Sequence, residues 1–120
     1  MLAARNQTRG VVLAERTLEA RTAGARLKGL LGRTELPRGE ALWICPCNSI
    51  HTLFMRFPID VLFLTGEREG ERRVVRAVSR LRPWRATRVY LAAESVLELW
   101  AGAIDESGSR EGDLLQFRKV

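Results

Sequence analysis

Glycine and proline cut this sequence into apolar runs of strand length, and that segmentation limits what the chain can fold into. The longest run, "VLFLT" at 61–65, would fill one strand and falls far short of a membrane span. "TRGVVLAE" (8–15) reads as a short β-branched strand. "ALWIC" (41–45) reads as a buried strand whose ladder ends at Pro46, which has no N–H to donate. "TLFMRF" (52–57) and "IDVLFLT" (59–65) read as two further extended pieces separated by Pro58. The polar stretch "GEREGE" (66–71) is the tip of a hairpin, and "RRVVRAVSRL" (72–81) is its returning strand. On that strand, alternation puts Val74, Arg76 and Val78 on one face and Arg73, Val75 and Ala77 on the other. Strands are also expected over 95–100 and 114–119, the second after a tight turn at Gly112-Asp113, with one or two helical turns in "AGAIDESG" (101–108).

One segment breaks the pattern. In "TAGARLKGLLGR" (22–33), Leu27, Leu30 and Leu31 share a helical face opposite Arg26 and Lys28. Thr22 and Gly32 suit its two caps, and Gly29 keeps the helix short. The fold class that follows is mainly β with one or two short helices (α+β). Its antiparallel sheet should curl into a partly open barrel or sandwich, with the helix plugging an end or covering an edge. A chain of 120 residues without repeats or a linker is one domain, 1–120. At 46% apolar and 28% charged residues, it belongs with folded globular chains.

The formal charge is +6, and all the basic residues are arginines except Lys28 and Lys119. Such a balance permits nucleic acid, acidic proteins or an anionic membrane surface as partners. The arginines are spread along the chain and mixed with fourteen acids, which favours a solvated surface. The start, "MLAARNQTRG", has no apolar h-region. Two cysteines one residue apart make no disulfide framework, so a reducing cytoplasm is expected, with no membrane partner.

The pieces "LKGLLGRTELPRGEALWI", "PCNSIHTLFMRFPIDVLFL", "LRPW", "ESVLELWAG" and "EGDLL" occur in an order and spacing that resemble the family of domains of unknown function numbered 192, from about residue 10 to the end. The resemblance implies a small, mostly β domain. It implies no established activity and carries no catalytic residues over to this chain. Many members of that family carry an N-terminal leader, which this sequence lacks.

The chemistry concentrates in "CPCNSIHTLFMRFPID" (45–60), which holds both cysteines and the only histidine. Cys45, Cys47 and His51 form C-x-C-x3-H, a set of good zinc donors that lacks a second Cys or His cluster. An extended i, i+2 cysteine pair is poorly placed for a disulfide. Cys47 or Ser49 with His51 and Asp60 supplies the parts of a nucleophile, base and orienting acid, without a known motif around them. Asp60 lies inside an apolar run, where a carboxylate needs partners. Arg56, His51, Ser49, Thr52 or backbone amides freed at Pro46 and Pro58 are the candidates.

The same residues could line a pocket, with Trp43, Phe54, Met55, Phe57 and Trp84 as walls and His51, Arg56, Asp60 and Arg82 orienting a ligand. The expected binding set is Ser49, His51, Thr52, Arg56, Asp60, Arg82 and Trp84. Finally, "SRLRPWRATRVY" (79–90) mixes Arg80, Arg82, Arg85 and Arg88 with Trp84 and Tyr90, a composition suited to single-stranded nucleic acid. The preferred reading has Trp84 anchoring this loop to the core. The expected protein is a monomeric binding or accessory module for an unidentified small molecule or protein, without a cofactor. The alternatives are a small hydrolase or metal-dependent enzyme using Cys47, His51 and Asp60, and a nucleic-acid binder.

Overall fold

The computed structural model describes residues 1–21 and 33–120. Seven strands, β1 (Leu2–Asn6), β2 (Val11–Ala20), β3 (Glu40–Ile44), β4 (Ile59–Gly66), β5 (Glu71–Leu81), β6 (Ser95–Trp100) and β7 (Leu114–Lys119), close into a barrel in the order β1-β2-β3-β6-β4-β5-β7. The mainly β class and the curled sheet agree with the sequence. The barrel closes fully, because β7 returns to pair with β1. Its contacts are antiparallel except β2–β3, which is parallel. A parallel pair needs a connection of about a dozen residues or more, and residues 21–39 supply it. The helix expected over 22–33 falls outside the described residues, apart from Arg33.

Two apolar layers follow from strand alternation. Ala4, Leu13, Ala41, Trp43, Leu62, Leu64, Val74, Leu97, Leu99, Leu115 and Phe117 come from all seven strands and fill the barrel interior. Their alternating neighbours on the opposite face, including Leu42, Ile44, Ile59, Val61, Phe63 and Val96, form a second cluster with Ile50, Met55, Phe57 and Ala93 from the connecting loops. Strand β4 is therefore buried on both faces, which is why it reads as an unbroken apolar run.

Three expectations are corrected. The strand over 8–15 straddles a turn at 7–10, and β1 precedes it. Gly10 adopts φ 70°, and the Asn6 side chain accepts the Arg9 N–H at 3.0 Å, the local chemistry of a turn. On β5, Val74 and Ala77 pack with the interior while Val75 and Val78 pack with the outer cluster. Leu64 pairs with Val74 but Phe63 pairs with Arg76, so Val75 is an extra, bulged residue that shifts the alternation. "TLFMRF" contains a turn where an extended piece is expected.

The short helix α1 (Ala103–Ser107) follows β6, and Ala103 and Ile104 join the interior cluster. Gly102 before it is required twice over. Its φ is 115°, and a Cβ there would lie 2.6 Å from the Trp100 ring.

Beside α1, Asn6 is fully buried and donates to Ser109 Oγ (2.8 Å) and Asp113 Oδ2 (3.0 Å). Arg9 pairs with both oxygens of Asp113, at 3.0 and 3.1 Å. Burial alone would raise the Asp113 pKa. Hydrogen bonds from Arg9, Asn6 and the Arg110 N–H, with the charge of Arg9, outweigh it and hold the carboxyl below its ordinary value. A carboxyl whose pKa is lower folded than unfolded contributes stability above its unfolded pKa and loses it as pH falls through the folded one. Thermal stability should therefore hold above about pH 5 and decline below about pH 4. In Asp113→Asn that part of the decline should be missing, as unfolding measured across the acid range would show.

Candidate functional site

Asp60 is fully buried and well held. Its Oδ1 accepts the Arg80 N–H at 2.8 Å; its Oδ2 accepts the N–H groups of Gly102 at 3.1 Å and Ile104 at 2.7 Å. The carboxylate thus caps α1 from a neighbouring strand and fastens a second irregularity of β5, where Arg80 sits at φ 50°. The expected partners His51, Arg56, Ser49 and Thr52 do not bond to it. Long-range backbone amides replace them, because the end of the barrel exposes donors that no strand pairs. These three bonds tie Asp60 to the backbone of the barrel end.

The remaining residues of 45–60 belong to a pair of loops laid over the outer cluster. The Tyr90 N–H bonds to Asn48 O (2.9 Å), that of Thr87 to Ile50 O (2.8 Å), and that of Thr52 to Arg85 O (2.8 Å). A bridge joins His51 to Ala86. Tyr90 leans on Phe63 with ring centroids 4.6 Å apart, so Tyr90 anchors the second loop. The expected anchor, Trp84, does not.

Thr52 holds the two loops together. It is fully buried, and its hydroxyl donates to Arg82 O (2.5 Å) and accepts the Arg85 N–H (3.0 Å). Those are the two groups that would bond each other across an ordinary turn at 82–85. In that turn Pro83 is the first central residue and Trp84 the second, at φ 63°. The facing turn at 52–55 closes with the Met55 N–H on Thr52 O (3.2 Å), and its second central residue, Phe54, lies at φ 67°. Turns of positive φ give that position to glycine or asparagine. Both turns place an aromatic there. Phe54 is 65% exposed and Trp84 56%, and their rings meet edge to face at 4.8 Å.

The other expected walls are core. Met55 and Phe57 are buried in the outer cluster, and Trp43 stacks on Phe117 inside the barrel, its Nε1–H donated to Ser95 Oγ. Among the polar candidates, His51, Arg56 and Arg82 are exposed and Ser49 is half-buried. Cys45 and Cys47 are half-buried free thiols, and the Cys47 thiol donates to Ser49 O at 3.0 Å. Cys47 also lines an open cleft of about 310 Å³ with Pro46, Asn48, Ala93 and Glu94 at the root of the loop pair. Among the described residues, no three His, Cys, Asp or Glu side chains converge as a metal site, so C-x-C-x3-H is not gathered into one.

Two features escape a reading of the sequence. Glu98 shares a strand face with Val96 and Trp100, and it is fully buried between Leu42 and Val61. The exposure of Phe54 and Trp84 has no sequence signal except Pro83 before Trp84.

The family model for uncharacterized ACR proteins, DUF192, matches residues 4–117. This chain belongs to the DUF192 family. A UPF0127 protein of Thermococcus sibiricus is 34% identical over 117 residues, covering 93% of this chain and 72% of that protein. A UPF0127 protein of Pyrococcus furiosus is 31% identical over 109 residues, covering 86% and 90%. The crystal structure of a protein of unknown function from Novosphingobium aromaticivorans superposes with a TM-score of 0.76 at 22% identity, over 98% of this chain and 83% of that one. At that identity the likeness is one of fold. Among the described residues no helix is long and apolar enough to cross a membrane.

Proposed function

We propose that this DUF192 protein is a small binding module whose ligand meets the rim of the loop pair, at Phe54 and Trp84 with His51, Arg56 and Arg82 beside them. One observation carries this reading. Two non-glycine residues hold left-handed backbone conformations that cost each about 1–2 kcal/mol, and both place an aromatic ring in solvent. Folding alone gains little from that arrangement, since an edge-to-face pair contributes only about 0.5–1.5 kcal/mol. Strain kept for exposed rings is characteristic of a surface built to touch something else.

A hydrolase using Cys47, His51 and Asp60 has less support, because the hydrogen bonds of Asp60 all go to backbone amides. Two free thiols suit a reducing compartment, and the cytoplasm is the proposed location.

Stability measurements test the reading without a known ligand. Glycine relieves the strain at both positions, so Phe54→Gly and Trp84→Gly should each unfold within about 1 kcal/mol of the parent, or above it. Losses beyond about 2 kcal/mol in urea unfolding would mark the rings as packing elements and overturn the proposal.

A further inference from the structure

The charge around the two rings identifies a class of ligand. Loop residues 46–58 and 82–93 contain four arginines, Arg56, Arg82, Arg85 and Arg88, and no aspartate or glutamate. All four are exposed, and none is ion-paired among the described residues. Several arginines elsewhere are tied to acids, among them Arg9 to Asp113, Arg38 to Glu106, Arg73 to Glu67, Arg76 to Glu111 and Arg80 to Asp105. The basic residues of this rim therefore remain available to an anionic partner. Guanidinium groups form planar, paired hydrogen bonds to phosphate oxygens. The exposed rings supply what a phosphate alone does not need, a flat apolar surface against which an unpaired base can stack.

We infer that the loop pair binds single-stranded nucleic acid, with bases against Trp84 and Phe54 and phosphates along Arg56, Arg82, Arg85 and Arg88. This rests on the proposed binding rim and names its ligand. Trp84 was expected to anchor its loop, which would have hidden the ring. With Tyr90 doing the anchoring, the Trp84 ring is free to stack. A duplex fits poorly, because its bases are already stacked on each other.

The test is fluorescence anisotropy of a dye-labelled oligothymidylate of about ten nucleotides, within the range of small single-strand sites. Four phosphate contacts on a single strand give a salt slope near −2.8, so affinity should fall about 50-fold between about 50 and about 200 mM NaCl. Trp84→Ala and Phe54→Ala should each weaken binding by about tenfold. The triple variant Arg82→Gln, Arg85→Gln, Arg88→Gln should flatten the slope by about 2. A duplex of the same sequence should bind several-fold more weakly.

Equal binding of duplex and single strand, or no effect of Trp84→Ala, would overturn the inference. So would Trp84-dependent binding confined to phosphatidylglycerol vesicles; in that case the rim would stand as a binding surface with a lipid ligand. Absence of Trp84-dependent binding to either probe also overturns it, and the glycine variants then decide separately whether the rim reading survives.

Discussion

Asp60→Asn is expected to lower the melting temperature by about 10 °C or more. The parent carboxylate accepts three backbone N–H groups through two oxygens. Asparagine keeps one oxygen and turns its amide NH2 toward a donor, leaving at least one buried N–H opposed. Each unsatisfied buried group costs about 1–3 kcal/mol, so a loss of about 3 kcal/mol is reasonable, and Asp60→Ala should lose about 4. In a domain of this size each kcal/mol corresponds to about 3–5 °C. Arg56→Gln is the control. Arg56 is exposed and does not touch Asp60, so its replacement should change stability by no more than about 0.5 kcal/mol. Comparable losses in the two variants would restore the ion pair that the sequence suggested. Hydrogen exchange should place the damage in the Asp60 variants at the amides of Arg80, Gly102 and Ile104.

The second large effect is expected at Thr52. Valine keeps the shape of threonine but removes the hydroxyl that bridges Arg82 O and Arg85 N–H. Both groups then lose their partner, at about 2 kcal/mol together. The loss should be local as well as global, because the Thr52 hydroxyl supplies the hydrogen bonds that close the turn at 82–85. The amides of Trp84, Arg85 and Thr87 should exchange at least tenfold faster in Thr52→Val, which corresponds to about 1.4 kcal/mol of local opening. Thr52→Ser keeps the hydroxyl and should stay close to the parent. Should the 82–85 turn instead close its own hydrogen bond in the valine protein, exchange would remain slow and the role assigned to Thr52 would be wrong. The two sites differ in kind: Asp60 secures the barrel end, and Thr52 secures the rim that presents Trp84.

Much of the architecture is legible in the residues. Strands β6 and β7 lie over 95–100 and 114–119 as read, because serine and glycine-rich turns bound them. The hairpin of β4 and β5 is equally plain, since "GEREGE" offers nothing to bury. Reading fails where a face is covered by something distant in sequence. Alternation puts Glu98 on one face with Val96 and Trp100 and gives no sign that its carboxyl is fully buried. The bulge at Val75 exchanges the faces of β5, and such a slip leaves no trace in composition. Strand β1 goes unread because "LAARN" is short and weakly alternating; its place depends on pairing with β7 at the other end of the chain.

The candidate site divides in the same way. Local chemistry is sufficient to show that Asp60 must be satisfied, since an interior carboxylate without partners is too costly to keep. Its partners lie 20, 42 and 44 residues further along, and only barrel closure brings them within hydrogen-bond distance. The strands over 95–100 and 114–119, the hairpin tip and the need for polar company at residue 60 were thus properties of the sequence itself, because they arise from alternation and turn chemistry over a few residues. The donors that answer that need, and the outward turn of Phe54 and Trp84, were decided by tertiary structure. They depend on which distant backbone groups the closed sheet leaves unpaired, and no local pattern encodes that.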